Sequence, residues 1–352
     1  MITGMSTTTA KSSFMRACRR QPVSHTPVWY MRQAGRSLPE YRAARAGMSM
    51  LEACTRADVI TEITLQPLRR FAVDAAIFFS DIVIPLRAIG LDIDFKPGVG
   101  PVMGQPFRGP DDLARLRPLD AADVPYVTEA VTALIAELGE TPLIGFAGGP
   151  FTLASYLVEG GPSKNHERTK ALMYGNPLLW HDLLGRLADI TSTFLHIQVA
   201  AGASAVQIFD SWVGAIGQED YRTAVLPHSR RVFDSLADSG VPRIHFGVGT
   251  GELLGLLGDA GADVVGVDWR VSLDEAARRV EPGIALQGNL DPAILLAPWE
   301  VIERRAKDVL ALGRVAEGHV FNLGHGVLPQ TNPDVLARLT DLVHQESAQQ
   351  PA

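Results

Sequence analysis

The stretch LIGFAGGPFTLASYLVEGG, residues 143–161, decides the fold. It begins with a short apolar run of strand length, turns through Gly148, Gly149 and Pro150, and continues as a longer stretch with helical spacing. Continuous rather than alternating hydrophobicity is typical of a strand that is covered on both faces. The stretch therefore predicts a strand, a glycine turn and a helix, which together form the repeating unit of a parallel α/β sheet.

Apolar runs of this kind recur along the chain, and each is followed by a longer helical stretch. The eight runs are VWYM 28–31, AAIFF 75–79, LIGF 143–146, AVQIF 205–209, RIHFGV 243–248, DVVGV 263–267, IALQG 284–288 and HVFNL 319–323. Eight strand-helix units predict a single (β/α)8 barrel of the TIM type, and an open doubly wound sheet is the competing α/β fold. Nearly every run ends in a turn with Gly, Asp or Arg, which favours the barrel with its active site at the C-terminal ends of the strands.

Composition limits the kinds of partner. The 352 residues are 46% hydrophobic and 20% charged, which excludes a largely disordered chain, and no apolar run is long enough to cross a bilayer. The net charge of −7 argues against nucleic acid or an anionic membrane as the main partner. Cys18 and Cys54 are the only cysteines. Two cysteines cannot build a disulfide framework, so we expect a reducing, cytoplasmic location.

The domain organisation follows from the two ends of the chain. We expect a disordered N-terminus over residues 1–14, one catalytic barrel domain over 15–345 and a frayed tail over 346–352. The stretch before Pro27 is basic and has no acidic residue, so an organelle transit peptide is the alternative for that end. Residues 90–110 are rich in turn formers and predict a hairpin or loop excursion rather than a domain boundary.

The first candidate site follows the first strand, in the stretch MRQAGRSLPEYRAAR. Its arginines, which crowd around Gly35, are Arg32, Arg36, Arg42 and Arg45. Guanidinium groups form bidentate hydrogen bonds with carboxylates and phosphates, and a glycine lets the backbone turn. The pattern is also typical of a solvated helix start, but Arg32 and Arg36 directly after an apolar strand favour an anion site.

The second candidate is Asp81, which ends the apolar run after Asp74. Burying a carboxylate costs free energy unless it meets hydrogen-bond donors, so Asp81 caps a helix, pairs with an arginine or faces a ligand. The glycine turn at residues 148–150 could hold an anion at the start of its helix, although backbone packing explains these glycines equally well.

Two further candidates are Ser211, next to Asp210, and His325, between Gly324 and Gly326. A Ser/His/Asp hydrolase is an alternative that we do not favour, because no G-x-S-x-G spacing surrounds Ser211. A lone histidine is more often structural, but the flanking glycines predict a bend that exposes the His325 ring.

Nucleotide and metal sites are poorly supported. The stretch FGVGTGELL, 246–254, opens a helix and Asp268 follows at a suitable distance for a ribose, but its glycine spacing is not G-x-G-x-x-G. The sequence has no H-E-x-x-H and no Cys-x-x-Cys, so we expect no bound metal.

Several long motifs, in a fixed order from about Arg16 to Val343, resemble the uroporphyrinogen decarboxylase family. They are MRQAGRSLPEYR, LQPLRRFAVDAAIFFSDI, GFAGGPFTLASYLVEGG, IFDSW, GVDWR, LQGNLDP and FNLGHGVLP. The resemblance implies a homodimeric barrel without a cofactor. It also implies that the enzyme decarboxylates the four acetate side chains of uroporphyrinogen III to methyl groups, giving coproporphyrinogen III in porphyrin and haem biosynthesis.

The resemblance also implies roles for single residues. The implied substrate-binding residues are Arg32, Gln33, Ala34, Gly35, Arg36, Arg45, Asp81, Tyr156, Ser211 and His325. Among these, Arg32, Arg36 and Asp81 are the implied catalytic residues. The arginines would bind carboxylates, with Arg45 assisting, and Asp81 would accept hydrogen bonds from the pyrrole N–H groups and stabilise developing positive charge.

By the same resemblance, Tyr156 and Ser211 would be hydroxyl donors, and His325 would be a donor or charge partner. The proton donor stays open between an arginine with a shifted pKa and a bound water. Ser37 departs from the family pattern, because many relatives carry an aromatic residue there, and this puts only local packing in doubt.

Two other functions remain as alternatives. Cobalamin- or thiol-linked methyltransferases share the barrel, but they need a His/Cys zinc ligand set that two scattered cysteines do not provide. A porphyrin-binding protein without catalysis would keep the arginines, and Asp81 would then be dispensable.

Overall fold

A computed structural model describes residues 9–348. The strands are β1 Ala76–Ile77, β2 Ile93–Lys96, β3 Gly100–Met103, β4 Leu143–Gly148, β5 Ala205–Phe209, β6 Arg243–Phe246, β7 Val264–Gly266, β8 Ala285–Leu290 and β9 His319–Leu323. Seven of them pair in parallel in the order β1-β4-β5-β6-β7-β8-β9, while β2 and β3 pair as an antiparallel hairpin. The hairpin confirms the predicted excursion over residues 90–110.

Helices cover the sheet and connect its strands. The α-helices are α1 Ser13–Cys18, α2 Pro39–Ala44, α3 Met50–Ala53, α4 Ala57–Phe71, α5 Ile84–Ala88, α6 Pro125–Leu138, α7 Pro150–Glu159, α8 Glu167–Gly175, α9 Pro177–Ala201, α10 Gln218–Ala224, α11 Leu226–Ser235, α12 Leu254–Asp259, α13 Leu273–Arg279, α14 Trp299–Gly313 and α15 Pro333–Ser347. Short 3-10 helices are Thr9–Lys11, Pro110–Arg115, Ala121–Asp123, Val213–Ala215, Ala237–Ser239, Gly251–Leu253 and Pro292–Leu296. Among residues 9–348, no helix is both long enough and apolar enough to cross a membrane.

Residues 27–29 close the sheet between β9 and β1. Val28 forms an isolated parallel bridge with Phe321 of β9. The Phe321 N–H donates to the Pro27 carbonyl at 2.8 Å, and the Trp29 N–H donates to the Phe321 carbonyl at 3.4 Å. On the other side, the Asp74 N–H donates to the Val28 carbonyl at 2.8 Å, just before β1 begins. We call residues 27–33 the closure segment.

Side-chain amides hold the rest of the closure segment after its backbone leaves the sheet. Gln33 Oε1 accepts from the Tyr30 N–H at 3.0 Å, and Gln33 Nε2 donates to the Ala75 carbonyl at 3.1 Å. The Met31 N–H donates to Asn322 Oδ1 at 3.0 Å. These bonds satisfy backbone groups that a longer strand would have paired, so the chain can turn toward the site without leaving them orphaned.

The predicted (β/α)8 barrel of the TIM type is confirmed. All eight predicted runs occupy the positions around the barrel, seven as strands and the first as the bridge at Val28. The first run, 28–31, is shorter than predicted because Met31 bonds to a side-chain amide instead of a neighbouring strand.

The structure describes most of both chain ends. Residues 1–8, where the predicted disorder and the alternative transit peptide begin, lie outside the described residues. Thr9–Lys11 form a 3-10 helix, α1 begins at Ser13, and the Phe14 ring is buried. At the other end, α15 continues through Ser347, whose hydroxyl accepts from the Thr26 N–H at 2.9 Å, and residues 349–352 lie outside the described residues. The boundaries of one domain over 15–345 stay a prediction.

A cluster of two histidines and an aspartate joins both chain ends to the barrel. Asp74 Oδ1 lies 2.8 Å from His25 Nε2, and Asp74 Oδ2 lies 2.8 Å from His344 Nε2 of α15. Asp74 Oδ2 also accepts from the Val28 N–H at 2.8 Å, so the cluster braces the closure segment. The hydrogen bond to Asp74 raises the pKa of His25, and the two histidines help to lower the pKa of Asp74 against the effect of its burial.

This cluster predicts a pH-dependent contribution to stability. Because the pKa of His25 is raised on folding, its contribution is complete below about pH 6.5 and is lost as pH rises through the folded pKa. We expect His25→Gln to lower the free energy of unfolding by about 1 kcal/mol at pH 5.5 and by clearly less at pH 9. Urea unfolding at both pH values measures this difference.

The matched control is His196→Gln. It replaces an exposed histidine of α9 whose imidazole has no hydrogen bond within residues 9–348. An equal loss of stability for His25→Gln at both pH values would contradict the assignment of this contribution to the charged imidazole.

Candidate active site

Arg32 lies at the end of the closure segment in the left-handed backbone region, with φ of 59°. A Cβ added at Gly326 would lie 2.4 Å from Arg32 Cδ, so the Arg32 side chain packs directly on that glycine. A Cβ at Gly35 would lie 2.4 Å from the Arg32 carbonyl oxygen. Arg32 is thus the residue of this turn with a left-handed backbone. Gly35 is needed because a side chain there would collide with the Arg32 carbonyl oxygen.

Asp81 follows β1 and begins the turn into α5. Its Oδ1 accepts from the Val83 N–H at 3.1 Å in a local turn before the helix, and α5 has no side-chain cap, so Asp81 is not the helix cap. Burial raises the pKa of the Asp81 carboxyl, while the hydrogen bond to Val83 and the charge of Arg32 lower it. Because its one side-chain hydrogen bond is to the Val83 N–H, the Asp81 carboxylate can still accept hydrogen bonds from N–H groups of a ligand.

Tyr156 lies on α7, and its ring stacks on Trp212 with the centroids 4.0 Å apart. Burial raises the pKa of the Tyr156 hydroxyl, the charge of Asp81 raises it further, and the charge of Arg32 lowers it. The hydroxyl therefore keeps its proton at neutral pH and can serve as a hydrogen-bond donor.

His325 follows β9, and its Nδ1 accepts a hydrogen bond from the Gly326 N–H at 2.6 Å. Burial, with help from the positive charge of Arg32, lowers the pKa of His325 to about 4. The ring is therefore neutral at pH 7, and with Nδ1 as acceptor its proton lies on Nε2. His325 can therefore donate a hydrogen bond from Nε2 as a neutral ring.

Arg32 is the common electrostatic neighbour of these groups. Its charge lowers the pKa values of Asp81, Tyr156 and His325. Charges act strongly only over roughly 10 Å in water, so the four side chains share one site. The Val327 N–H also donates to the Met31 carbonyl at 2.8 Å, which fixes the His325 turn beside Arg32.

The other predicted site residues either have side chains without hydrogen bonds or have side chains that the fold holds. The Arg36 side chain is exposed and Ser211 is half-buried, and neither side chain has a hydrogen bond within residues 9–348. Gln33 and Ala34 are buried, and the Gln33 amide is used for barrel closure. Arg45 donates to the Tyr41 hydroxyl at 2.7 Å and packs over the Tyr41 ring, so helix α2 holds it.

Asp210 explains the glycine turn before α7. Its Oδ1 accepts from the Thr152 N–H at 3.2 Å and from the Thr152 hydroxyl at 2.7 Å. A Cβ at Gly149 would lie 2.5 Å from Asp210 Cγ, so this glycine makes room for the carboxylate. The start of α7 thus binds an anion of the protein itself, and the fully buried Asp210 serves packing rather than a hydrolase triad.

Asp268 and Arg270, which follow β7, lie at this end of the barrel and are not among the site residues predicted from the sequence. Asp268 and Arg270 form an ion pair, and Asp268 Oδ2 accepts from the Gly249 N–H, in the loop that we considered for nucleotides. The Arg270 guanidinium lies 4.1 Å from the centroid of the Trp269 ring. The rule that singled out Asp81, an acid directly after an apolar strand, could have found Asp268.

Phe209 is a second missed residue. Its half-buried ring makes edge contacts with Phe146 at 5.4 Å and with Phe246 at 6.1 Å between centroids. Phe209 ends β5 at the end of the barrel that carries Ser211, so its half-buried ring offers an apolar contact there, backed by the buried rings of Phe146 and Phe246.

Residues of metal-ligand type cluster at the opposite end of the barrel. Within residues 9–348, His25, Asp74 and His344 form the one such group, with ligand atoms within 4.8 Å of one another. Asp74 precedes β1 and already engages both imidazole Nε2 atoms. This group is therefore separate from the site around Arg32.

The electrostatic coupling at His325 is measurable. NMR titration of the histidine side chains should show His325 neutral, with its proton on Nε2, down to a pKa of about 4. In Arg32→Gln the pKa of His325 should rise but stay below 6.5, because burial, the larger cause, remains. Arg231→Gln removes an exposed arginine of α11 and should leave it unchanged. A wild-type titration near pH 6.5 would contradict this account.

Comparison with known proteins gives the family. The family model described as uroporphyrinogen decarboxylase matches residues 9–346. A uroporphyrinogen decarboxylase of Thermobifida fusca is 68% identical over 343 residues, covering 97% of this chain and 95% of the relative. One of Streptomyces griseus is 67% identical over 340 residues, covering 97% and 93%.

Solved structures share the fold at low identity. A methyltransferase from Methanosarcina mazei has a TM-score of 0.76 and 19% identity, with 95% of this chain and 97% of that chain covered. At that identity the likeness shows the barrel alone, whereas the family match spans nearly every described residue. The resemblance inferred from the motifs is confirmed, and the chain belongs to the uroporphyrinogen decarboxylase family.

Proposed function

We propose that this chain removes carbon dioxide from the four acetate side chains of uroporphyrinogen III and gives coproporphyrinogen III, in porphyrin and haem biosynthesis. Identity of 68% to a uroporphyrinogen decarboxylase over nearly the whole chain supports this reaction. The observation in the structure that carries the proposal is that the exposed Arg32 and the half-buried Asp81 share one site, where burial raises the pKa of Asp81 and the charge of Arg32 lowers it.

The substrate determines what the site must supply. Uroporphyrinogen III is a flexible cyclic tetrapyrrole with eight carboxylates and four pyrrole N–H groups. Arg32 and Arg36 lie on the same turn and can form charge-assisted hydrogen bonds with the carboxylates. The half-buried Phe209 ring, which packs on the buried Phe146 and Phe246 rings, provides an apolar contact for the macrocycle. The site thus matches a ligand that is apolar at its centre and anionic at its rim.

Asp81 is the proposed catalytic carboxylate. Replacing an acetate CH2–COO⁻ by a methyl group consumes one proton and releases one CO2. Protonation of a pyrrole carbon first creates a cation, and the electrons of the breaking C–C bond then neutralise it and leave an exocyclic methylene. A second proton added to that methylene, with loss of the first proton from the ring carbon, gives the methyl group, so that one proton is consumed in total. Asp81 accepts from the pyrrole N–H groups and stabilises that cation, and this stabilisation is strong because the carboxylate is desolvated.

Tyr156, Ser211 and His325 are proposed to donate hydrogen bonds to the substrate. Because the pKa of His325 is lowered to about 4, it holds no second proton at pH 7 and does not deliver the catalytic one. Burial likewise keeps the proton on Tyr156. The proton therefore comes from a water or an arginine in the site, and we propose that no cofactor or metal takes part.

Anaerobic incubation with uroporphyrinogen III, without added metal or cofactor, tests the reaction. Oxidation and chromatography by carboxylate number should show hepta-, hexa-, penta- and tetracarboxylic porphyrins appearing in steps. If the octacarboxylate is returned unchanged by a folded protein that binds it, the chain is a carrier or a methyltransferase rather than a decarboxylase.

Asp81→Asn tests the catalytic role. The amide keeps the shape and loses the charge, so we expect kcat to fall by at least about 100-fold in a folded protein. Asp120→Asn is the matched control, because Asp120 accepts from the Ala122 N–H at 2.9 Å in the same kind of turn, away from the site. An Asp81→Asn protein with normal turnover would remove Asp81 from the mechanism.

We also propose a cytoplasmic homodimer. The two cysteines are buried and unpaired, which suits a reducing compartment. Large apolar side chains remain exposed at the junction of α8 and α9, where Leu178 is 82% exposed and Tyr174 is 58% exposed. Sedimentation equilibrium should give twice the chain mass of 37.9 kDa at micromolar concentration, and a monomer mass would contradict the dimer.

A further inference from the structure

Arg270 lies at the same end of the barrel as the site around Arg32. It follows β7, whereas Asp81 follows β1 and His325 follows β9. Around the closed barrel, β7, β8, β9 and the closure segment are consecutive neighbours. Arg270 and Arg32 therefore flank the His325 turn from opposite sides.

The loop that carries Arg270 is held rigidly against that turn. Asn289 Nδ2, from the end of β8, donates to the Asp268 carbonyl at 2.8 Å. A Cβ added at Gly324 would lie 2.4 Å from the Trp269 backbone nitrogen, so the loop packs directly on the residue before His325. The charge of Arg270 also contributes to the lowered pKa of His325. Contact and charge thus place Arg270 beside His325, a proposed hydrogen-bond donor to the substrate.

Asp268 binds one edge of the Arg270 guanidinium, and the other edge is accessible to a ligand. Asp268, only 3% exposed, holds Arg270 Nη1, and its Oδ1 accepts from the Arg270 N–H at 2.9 Å. The guanidinium plane lies over the Trp269 ring, while the side chain remains 51% exposed. Within residues 9–348, Nε and Nη2 of Arg270 have no acceptor. An arginine oriented in this way loses little conformational freedom when it binds an anion.

We propose that Arg270 is a further substrate-binding residue, which holds a side-chain carboxylate of the tetrapyrrole on the side of His325 opposite to Arg32. The inference rests on the proposed function and assigns a second cationic position on the rim. A flexible macrocycle with eight carboxylates has to be held at more than one point for a single acetate to stay at Asp81, and two arginines on either side of His325 provide those points.

The test compares Arg270→Gln and Arg270→Lys with wild type in anaerobic steady-state assays on uroporphyrinogen III. Because the carboxylate contact is present in both the bound substrate and the transition state, we expect Arg270→Gln to raise KM by about 5- to 20-fold and to leave kcat within about twofold. Arg270→Lys should lie between the two. The KM of wild type should also rise more steeply with ionic strength than that of Arg270→Gln.

Arg231→Gln is the matched control, since Arg231 is 56% exposed and pairs with Asp189 far from the site. It should leave both constants unchanged. If Arg270→Gln fails to fold because Asp268 is left buried without a partner, the double variant Asp268→Asn with Arg270→Gln removes that charge as well. Either form with the KM of wild type overturns the inference.

Two further arms separate the possible outcomes. Competition by coproporphyrinogen III, which keeps only the propionates, is weakened by Arg270→Gln if Arg270 binds a propionate and is unchanged if it binds an acetate. This arm identifies the carboxylate after the KM of Arg270→Gln has shown the contact. If wild type does not decarboxylate uroporphyrinogen III, the proposed function fails. The dissociation constant for uroporphyrinogen III then still tests Arg270, which is supported if Arg270→Gln weakens binding and overturned if it does not.

Discussion

The hydrogen bonds that close the barrel between Pro27, Val28 and β9 are the constraint on which the site depends. A parallel sheet with open edges would leave unpaired backbone groups at β1 and β9, and the closure segment satisfies them with very few residues. Because the contact is so short, side chains complete it, and Gln33 and Asn322 act where a longer strand would have used its backbone. The chain is then free to turn within two residues, and that turn carries Arg32 to the C-terminal end of the barrel.

A second dependence is electrostatic. Several titratable side chains at this end are buried enough for their pKa values to shift, and each shift depends in part on Arg32. Burial keeps Tyr156 protonated and His325 neutral, so the Asp81 carboxylate lies among donors of hydrogen bonds. Such an arrangement can tolerate the approach of a polyanion and still leave Asp81 as the acceptor for its N–H groups.

Much of this was predictable from the sequence, and the limits have physical reasons. Continuous apolar runs gave the positions of all eight barrel strands, because burial on both faces leaves a strong pattern. The same pattern overstated the first strand, since hydrophobicity does not record which backbone groups pair with side chains. The free-energy cost of burying a carboxylate identifies Asp81 as a candidate from the sequence. Ser37 departs from the family pattern. In the structure the Ser37 hydroxyl is buried without a partner among residues 9–348, so the departure is one of packing.

Other residues could not be assigned from sequence alone. Gln33 lies inside the arginine motif, and its assignment to the substrate stays a prediction. Its side-chain amide donates to the Ala75 carbonyl, a long-range contact that no local pattern reports. Asp268 was weighed only against a nucleotide fingerprint, although its position after β7 was as informative as that of Asp81. His325 was correctly placed at a bend, but its charge state depends on burial and on Arg32, which only the fold brings close.

The backbone at Arg32 has a consequence for how this turn can change. With φ of 59°, the position favours glycine or asparagine on conformational grounds, and any other residue adds local strain of order 1 kcal/mol. A chain optimised for thermal stability alone would place glycine there and would lose the guanidinium at the centre of the site. Stability and recognition therefore make opposite demands on one residue, and a stabilising redesign of this protein should hold position 32 fixed while it varies its surroundings.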